Sequence, residues 1–279
     1  MHQPVMVESV IENLNIRDDG TYADLTAGFG GHSKKILEKL SDRGKLIVVD
    51  RDPFALEHLK EIFKENKNVV VLKMNFKDIP LDFKFDGVLL DLGVSSFQYD
   101  TPNRGFSYRY NAPLDFRMDT EGNNRFSEIF NMDISQIATI IKDYSDEYDS
   151  YNIAKEIFQK IQKNELKTTF DLKDAIIKGK KGRDISKGLK RVFMAFRIFI
   201  NDELNSLQTL LNKLPIITNQ KCRVVIITYH SIEDRLVKNH FKNSTDFTSV
   251  HKKVIKPKYE EIISNKRAKS AKMRVLERV

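Results

Sequence analysis

The 279-residue sequence predicts an α/β fold, in which helices cover both faces of a largely parallel sheet and a helical domain is inserted into it. Three observations support this prediction. Short runs rich in Val, Ile and Leu alternate with helical patterns in the first third of the chain, a mainly helical region follows, and a strand pattern then returns. Strands of a parallel sheet are continuously apolar because helices bury both of their faces.

The first elements follow from apolar runs separated by helical spacing. Strand patterns cover residues 21–26, 45–50, 68–74 and 85–94, and helical patterns cover residues 33–40 and 53–63. In the first helical pattern Ile36, Leu37 and Leu40 would share one face. This alternation predicts a series of βαβ units.

The pattern changes after residue 94. Residues 95–119 are rich in Gly, Pro, Asn and Arg and have no clear period, whereas helical stripes of isoleucine begin at residue 134. A basic loop at residues 178–188 precedes one long amphipathic helix over residues 192–211, and a strand returns at residues 223–229. The alternating tracts 250–255 and 272–278 suggest an antiparallel edge pair. We predict a discontinuous sheet domain, residues 1–119 and 191–279, with a helical domain at residues 120–190.

Composition narrows the class of protein. The chain is 41% hydrophobic and 31% charged, which is typical of soluble globular proteins, and its apolar runs are too short to span a bilayer. Residues 1–14 lack the basic flank of a secretory signal. The single cysteine, Cys222, cannot form an intramolecular disulfide and fits a reducing compartment. We expect a cytoplasmic protein without a bound metal, because the six histidines have no ligand-like spacing.

Positive charge is concentrated in two segments. Residues 178–191 contain seven basic residues and one aspartate, and residues 252–278 contain ten basic residues and three glutamates. Their net charges of +6 and +7 together exceed the +8 of the whole chain, so the remainder is slightly acidic. One such segment would fit a solvated face, but two favour a polyanionic partner, most simply nucleic acid.

A glycine-rich turn lies between the first strand and the first βα helix. Gly28, Gly30 and Gly31 in this turn would let a ligand approach the backbone, and Asp50 at the end of the next strand could bind ribose hydroxyls. The spacing differs from the Gly-x-Gly-x-x-Gly of dinucleotide sites, where a pyrophosphate lies on the helix N-terminus. It favours a methyl-donor nucleoside over a nicotinamide cofactor, and a purely structural turn is the remaining alternative.

The segment Asp91 to Ser96 (DLGVSS) follows the fourth strand. Ligands of open α/β sheets bind beyond the carboxyl ends of the strands, so Asp91 could meet the reactive end of the cofactor or the methyl acceptor. A cap of the following element is an equally good interpretation of this aspartate. The Asn/Asp/Ser-Pro-Pro-aromatic pattern of many amino-group methyltransferases is absent. These residues alone leave the acceptor atom undecided.

Two further segments are candidates for substrate contact. In residues 229–235 (YHSIEDR), His230 and Ser231 have no Gly-x-Ser-x-Gly elbow, which disfavours a hydrolase, and Arg235 would either join a polar network or bind a phosphate. In residues 104–117, arginines alternate with aromatic residues, as on surfaces that bind single-stranded nucleic acid. A surface loop with its aromatics packed beneath it is the alternative. The residues concerned are Arg104, Phe106, Tyr108, Arg109, Tyr110, Phe116 and Arg117.

Long motifs are spread along nearly the whole chain. They are residues 2–5 (HQPV), 24–33 (DLTAGFGGHS), 50–53 (DRDP), 86–98 (DGVLLDLGVSSFQ), 104–107 (RGFS), 113–119 (PLDFRMD), 197–204 (RIFINDEL), 230–235 (HSIEDR) and 265–271 (NKRAKSA). In this order they resemble the MraW (RsmH) family of ribosomal RNA methyltransferases. The sequence departs from the family pattern at residues 144–148, YSDEY in place of Tyr-Gly-Glu-Glu-Arg, and at residues 188–194, GLKRVFM in place of Pro-Ala-Thr-Arg-Thr-Phe-Gln.

The resemblance implies a class I methyltransferase sheet with an inserted helical domain. It implies methyl transfer from S-adenosylmethionine to N4 of a cytidine in small-subunit (16S) ribosomal RNA, near the decoding region, with that RNA or the assembled small subunit as partner. It leaves the oligomeric state open, a dimer included. Together with the turn argument, it predicts cofactor contacts at Gly28, Gly30, Gly31, His32, Asp50, Phe76, Asp91 and Gln98. The predicted catalytic residues are Asp91 and Ser95, and the predicted substrate contacts are Arg104, Phe106, Arg109, Asp115, Arg117, Arg191, His230 and Arg235.

A mechanism follows as a hypothesis. Methyl transfer from a sulfonium is an in-line displacement, so positioning of the two reactants dominates the rate. Asp91 is the candidate acceptor of the N–H bonds of the cytosine amino group, and the target base must be unstacked or single-stranded. Two other classes remain as alternatives: a nicotinamide oxidoreductase, and a non-catalytic RNA-binding protein on a methyltransferase fold.

Overall fold

The computed structural model describes residues 4–122, 126–182 and 184–279. His2 and Gln3 of the first matching motif, and Arg183 of the basic loop, lie outside these residues. The chain divides into two compact units, one formed by Met1–Gly93 with Leu204–Val279 and the other by Val94–Glu203. Among the described residues, no helix has the length and apolar character needed to cross a membrane.

The elements follow in chain order. The strands in the described residues are β1 (Thr21–Asp24), β2 (Lys45–Asp50), β3 (Val69–Lys73), β4 (Phe85–Asp91), β5 (Thr218–Thr228), β6 (Phe247–Ser249) and β7 (Lys272–Arg278). The α-helices in the same residues are α1 (Val7–Leu14), α2 (Gly31–Leu37), α3 (Pro53–Ile62), α4 (Ser96–Asp100), α5 (Phe126–Ile129), α6 (Ile134–Ser145), α7 (Ser150–Gln162), α8 (Thr169–Gly179), α9 (Ile185–Asn201), α10 (Glu203–Ile217), α11 (Ser231–Phe241) and α12 (Tyr259–Ser264). Short 3₁₀ helices cover Phe76–Asp78, Pro102–Arg104 and Lys266–Ser270.

The first unit is built around one sheet with the strand order β3-β2-β1-β4-β5-β7-β6. Strands β1 to β5 pair in parallel, whereas β7 is antiparallel to both β5 and β6. The chain moves outward from β1 through β2 to β3 and then returns to the other side of β1 with β4. The topological switch point of the sheet therefore lies between β1 and β4, which is where open α/β sheets bind ligands.

Alternate residues of the central strands enter two hydrophobic cores. On one face Ile47, Leu90 and Ile226 share a core with leucines of α10, and on the other Val48 and Leu89 share one with α1 and α2. This burial of both faces explains the continuous apolar runs of the sequence and confirms the predicted α/β fold.

The second unit is mainly helical. Helices α6 to α9 surround a core of isoleucine, leucine and phenylalanine side chains. The compact unit begins at Val94 and ends at Glu203, wider than the predicted insertion of residues 120–190. The reason is that Phe106 and Phe116, from the segment before residue 120, pack in the same core as Phe193 and Phe196 of α9.

Two sequence expectations were wrong in detail. The long helix of residues 192–211 is part of two helices, α9 and α10, because the chain turns at Asp202 in the left-handed conformation with φ 51°. The tract 272–278 is strand β7, but it pairs with β5 and β6. Residues 250–255 contribute only the backbone contacts of Val250 with Val275 and of Ile255 with Met273.

Candidate active site

Three aspartates mark the carboxyl edge of the sheet in the first unit. Asp24, Asp50 and Asp91 are the last residues of β1, β2 and β4, which are neighbours in the sheet. Parallel pairing aligns these strand ends, so the three carboxylates gather beside the switch point between β1 and β4. The grouping agrees with the location that the sequence predicted for a nucleoside cofactor.

The glycine turn is fixed to the end of β2 through Asp50. The backbone N–H of Gly28 donates to Oδ2 of Asp50 at 2.7 Å, and the backbone N–H of Asp52 donates to Oδ1 at 2.8 Å. A carboxylate has about four lone-pair positions, so two remain for other donors such as ribose hydroxyls. Burial raises the pKa of Asp50, although the two backbone hydrogen bonds oppose this shift.

The three glycines of the turn are required for different reasons. Gly28 has φ +53°, and a Cβ built on it would meet no atom within 4 Å. At Gly30, with φ +77°, a Cβ would lie 2.8 Å from Ile62, and at Gly31 it would lie 2.4 Å from Pro4. Gly28 therefore leaves open space beside the strand ends, which fits a bound nucleoside, whereas Gly30 and Gly31 permit close packing of α2 on its neighbours.

Asp24 anchors the start of α2. Its Oδ2 accepts a hydrogen bond of 2.6 Å from the hydroxyl of Ser33, and both residues are buried. Burial raises the pKa of Asp24, although the neighbouring His32 and the Ser33 hydroxyl oppose that shift. These contacts assign Asp24 to holding the turn in place.

Asp91 is held from two sides. The hydroxyl of Tyr229, which follows β5, donates to Oδ1 of Asp91 at 2.7 Å, and the backbone N–H of Asp91 donates to Oγ1 of Thr26 at 2.6 Å. Burial raises the pKa of Asp91 to about 6, although His32 and the hydrogen bond from Tyr229 favour the ionised form. The side chain keeps 22% exposure. It is thus a fixed, accessible carboxylate whose pKa suits proton transfer near neutral pH.

His32 lies beside Asp91 with a defined orientation. Nε2 of the buried imidazole is 2.9 Å from the backbone carbonyl of Val5, and Nδ1 is 3.9 Å from Oδ2 of Asp91. Because a carbonyl only accepts, Nε2 is the nitrogen that donates to Val5, and Nδ1 is the nitrogen on the Asp91 side. The resemblance implies a cofactor contact at His32, and the structure shows in addition that His32 lies close to Asp91.

Phe76 lies next to the Asp50 end of the sheet. It begins the 3₁₀ helix after β3, and the backbone N–H of Met74 donates to the carbonyl of Asp50. The ring is partly buried at the edge of the core that contains Leu90. Phe76 thus lies near Asp50 and is only partly buried, and its cofactor contact stays a prediction.

The segment after β5 forms a compact polar network. His230 caps α11, and its Nε2 lies 3.0 Å from Oε1 of the buried Glu233. Oε2 of Glu233 accepts from the backbone N–H of Tyr229 at 3.1 Å. His230 thereby supports the residue that holds Asp91, and its predicted substrate contact stays a prediction. Arg235 is exposed on α11.

Ser95 and Gln98 belong to the second unit and form the capping box of α4. The Ser95 hydroxyl accepts from the backbone N–H of Gln98 at 3.2 Å, and Oε1 of Gln98 accepts from the backbone N–H of Ser95 at 3.0 Å. The Gln98 side chain is buried. These bonds account for both residues structurally. A catalytic role for Ser95 and a cofactor contact of Gln98 stay predictions.

The expected arginine and aromatic surface at residues 104–117 is wrong for Arg104, Phe106 and Phe116. Both rings lie in the core of the second unit, and Arg104 is only 5% exposed. Nη2 of Arg104 donates to the backbone carbonyls of Arg117 and Met118, so the guanidinium holds the segment together from inside. Burial in the core lowers the free energy of an aromatic ring relative to exposure to water. This favours the alternative in which the aromatic residues pack beneath a surface loop. Arg109 remains exposed, over the ring of Tyr99.

Asp115 and Arg117 form a two-pronged ion pair within the second unit. Nε and Nη2 of Arg117 donate to the two carboxylate oxygens of Asp115 at 2.6 and 3.0 Å, and Nη1 donates to the carbonyls of Thr120 and Gly122. Most of the arginine donors are therefore used inside residues 115–122. Arg191 is partly exposed and lies 3.5 Å from Glu147. The substrate contacts predicted for these side chains stay predictions.

Sequence reasoning missed two residues that hold Asp91. Thr26 lies in the glycine-rich turn, and Tyr229 ends the strand pattern of residues 223–229. The sequence predicted no role for either residue. Asp91 and Tyr229 are 138 residues apart, and only the pairing of β4 with β5 brings them together. One signal for this contact was present in the sequence, because β4 and β5 were both expected in the parallel sheet and both end in polar residues.

The chain is similar to known proteins along its whole length. The whole chain, residues 1–279, matches the MraW methylase family. The ribosomal RNA small subunit methyltransferase H of Clostridium botulinum is 39% identical over 305 residues, covering 100% of this chain and 99% of the relative. The protein of the same name from Mycoplasma genitalium is 36% identical over 303 residues, covering 100% and 98%.

Solved structures show the same fold. A Clostridium thermocellum protein with a provisional assignment as an rRNA methylase has a TM-score of 0.51 at 9% identity over 100% of both chains. NSun6 from Pyrococcus horikoshii has a TM-score of 0.50 at 13% identity, covering 99% of this chain and 52% of that one. The fold is that of the Rossmann-like methyltransferases, and the chain belongs to the MraW methylase family.

Proposed function

We propose that this protein transfers a methyl group from S-adenosylmethionine to the N4 amino group of a cytidine in small-subunit (16S) ribosomal RNA, near the decoding region. The names of the full-length relatives support the small-subunit RNA as substrate. The motif resemblance supports the N4 position. The observation that carries the proposal is Asp91, held by Tyr229 and Thr26 beside the open Gly28 turn.

The residues at the strand ends fit this cofactor. A Cβ on Gly28 would meet no atom within 4 Å, which leaves room for a ligand to approach the backbone, Asp50 has lone pairs for ribose hydroxyls, and Phe76 is a partly buried ring nearby. When bound, S-adenosylmethionine supplies an activated methyl group on a sulfonium. A nicotinamide cofactor fits less well, because the turn lacks the glycine spacing that seats a pyrophosphate on a helix N-terminus.

Asp91 is the group that acts on the acceptor. One carboxylate oxygen is held by Tyr229, and the other faces His32 at 3.9 Å, so the side chain is oriented before substrate arrives. By accepting a hydrogen bond from the cytosine amino group, Asp91 would localise the lone pair of the amino nitrogen for attack on the methyl group. The nitrogen loses a proton after methylation, and a carboxylate with a pKa of about 6 can take it.

The partner is inferred to be ribosomal RNA, alone or within the assembled small subunit, in the cytoplasm. The basic segments 178–191 and 252–278 supply positive charge toward phosphates. Part of that charge is satisfied within the protein, since Lys272 and Arg274 both contact Asp234 and Arg278 contacts Asp246. The exposed lysines of the first segment are therefore the stronger candidates for RNA contact.

A methyl-transfer assay with a matched control variant tests this proposal. Labelled S-adenosylmethionine and small ribosomal subunits are incubated with wild type, with Asp91→Ala and with Asp86→Ala, which removes a carboxylate near the opposite end of the same strand. We expect label in RNA for wild type and Asp86→Ala and none for Asp91→Ala, with all three proteins folded. Near-normal turnover by Asp91→Ala would refute the role of this carboxylate.

Titration of the cofactor separates the two alternative classes. Calorimetry should show binding of S-adenosylmethionine and not of NAD, with binding weakened by Asp50→Ala. Binding of NAD alone would point to an oxidoreductase. Binding of RNA without turnover on any RNA substrate would point to a non-catalytic RNA-binding protein.

A further inference from the structure

Two exposed tyrosines stand out on the second unit. Tyr148 is 94% exposed and Tyr151 is 60% exposed, and they lie just before and at the beginning of α7. Large aromatic side chains normally bury most of their area, because this area is worth several kcal/mol (about 25 cal/mol per Å²) when removed from water. Two such exposed rings within four residues indicate an interaction surface.

Ion pairs attach the basic loop to the segment that carries these rings. Nζ of Lys180 donates to Oε1 of Glu147 at 2.7 Å and to Oδ2 of Asp149 at 2.9 Å. The Glu147 side chain is completely buried and that of Lys180 is 9% exposed. Arg191 approaches the other oxygen of Glu147 at 3.5 Å. Both carboxylates beside Tyr148 are thus neutralised by cations of the loop and of α9.

Close backbone packing confirms that these segments are neighbours. A Cβ on Gly179 would lie 2.5 Å from Cα of Ile153 in α7, and a Cβ on Gly188 would lie 2.5 Å from Cδ of Lys180. The end of α8, the basic loop and the start of α9 therefore meet the start of α7. The loop cannot move away without breaking the buried ion pairs.

Further cations among the described residues of this region are exposed. Lys181, Lys187 and Lys190 are exposed, and of these Lys187 is paired with Asp184 at 2.6 Å. Asp146 is an exposed acid next to Tyr148. The exposed rings and the exposed lysines thus belong to segments that the ion pairs of Lys180 and Arg191 hold together. We call Tyr148, Tyr151, Lys181, Lys187 and Lys190 the tyrosine–lysine surface.

We propose that the tyrosine–lysine surface binds single-stranded RNA, with bases stacked on Tyr148 and Tyr151 and phosphates contacted by the lysines. Stacking on aromatic rings beside cations is the common mode of single-strand binding and tolerates any base. Charged residues adjoin these rings, which disfavours a lipid surface, and the exposed lysines favour a polyanion over a neutral partner. Tyr148 occupies the position where the family pattern has arginine, so the extra ring distinguishes this chain.

The inference rests on the proposed function for the identity of the RNA and is tested by direct binding. Fluorescence anisotropy measures the affinity of a labelled, unstructured RNA oligonucleotide for wild type, Tyr148→Ala, Tyr151→Ala and the double variant. We expect about 10-fold weaker binding for each lost ring, since stacking is worth about 1–3 kcal/mol per base. Tyr148→Phe, which keeps the ring, should bind within about 3-fold of wild type.

Matched controls separate stacking from charge. Phe54→Ala removes an aromatic ring that is 47% exposed on α3, outside both basic segments, and should leave the affinity unchanged. Lys181→Ala should reduce the slope of log affinity against log salt by about 0.7, the value for one phosphate contact on a single strand, whereas the tyrosine variants should keep that slope.

A fluorescent reporter gives an independent readout. The chain has no tryptophan, so Tyr148→Trp introduces a single emitter at the proposed stacking position. Its emission should be quenched by the RNA oligonucleotide and not by a duplex of equal length or by phosphatidylserine vesicles. A Phe54→Trp variant, with the emitter on α3 outside both basic segments, should respond to none of these.

Three results would overturn the inference: wild-type affinity in the double tyrosine variant, equal losses in Phe54→Ala, or quenching of Tyr148→Trp by vesicles instead of RNA. The outcome is independent of catalysis. Wild-type methyl transfer with unchanged RNA affinity in the double variant would reject this surface and leave the proposed function intact. Ring-dependent RNA binding without methyl transfer by wild type would do the reverse.

Discussion

At the scale of single residues, Asp91 combines a catalytic demand with a cost in stability. Its folded-state pKa of about 6 lies above the ordinary value of 3.8 because the carboxylate is largely buried. The stabilising contribution of such a group is fully present below pH 3.8 and is lost as the pH rises through about 6. At neutral pH the protein therefore keeps a charged carboxylate that disfavours its own fold, as active-site groups often do.

The variant Asp91→Asn should expose this cost. We expect activity to fall at least 100-fold, because the proton acceptor is lost, while stability at pH 8 rises by about 2–3 kcal/mol. Below pH 4 the stability difference should vanish, because the wild-type carboxyl is then protonated as well. Denaturant unfolding at the two pH values measures both effects. Equal stability of the two proteins at pH 8 would contradict the raised pKa.

The pH dependence of kcat/KM provides a second prediction. Activity should decrease below about pH 6, because protonated Asp91 can neither accept the amino hydrogen nor take up the proton. In Tyr229→Phe the carboxylate loses its hydrogen-bond donor, so the inflection should move upward by about 0.5–1 pH unit. The same inflection in both proteins would show that Tyr229 does not tune Asp91.

At the scale of elements, the glycines of the turn differ in their expected roles. Gly28 leaves room for the methyl donor, whereas Gly30 permits close packing of α2. Gly28→Ala should cost only about 1 kcal/mol of stability, from its positive φ, while clearly weakening binding of the methyl donor. Gly30→Ala combines a positive φ with contacts of 2.8 Å to Ile62 and should destabilise the fold by more than Gly28→Ala. Thermal unfolding and calorimetric titration of the donor compare the two. A larger stability loss at Gly28 would reverse this assignment.

The buried ion pair beside α7 gives a matched test of the loop attachment. Lys180→Met leaves Glu147 buried without its closest cation and should destabilise the protein by about 3–5 kcal/mol. The double variant Glu147→Leu/Lys180→Met removes both charges and should recover most of that loss. Chemical unfolding of the three variants measures the coupling. Additive losses would mean that the two side chains act separately.

Element prediction succeeded where local pattern decides the structure and failed where distant contacts do. Strands β2 and β4 could be predicted because their residues form continuous apolar runs. The break between α9 and α10 depends on Asp202 in a left-handed conformation, which no apolar spacing reveals. Burial of Phe106 depends on α9, which lies far along the chain, so an alternation of rings with arginines was mistaken for a surface.

At the scale of the whole molecule, the sequence could predict which strand ends carry the site and which class of cofactor fits it. Asp50 and Asp91 follow strands of a parallel sheet, so their approximate location was determined by fold class alone. The bond from Tyr229 to Asp91 and the orientation of His32 depend on strand order and side-chain packing across the sheet. Those contacts give the proposed proton acceptor, Asp91, its defined position.

The identity of the methylated nucleoside tests the central claim most directly. Small ribosomal subunits treated with the protein and labelled S-adenosylmethionine are digested to nucleosides, which are separated and identified by mass. The account predicts label in a single nucleoside, N4-methylcytidine, for wild type and none for Asp91→Ala. Label in any other nucleoside, or in protein, would contradict it.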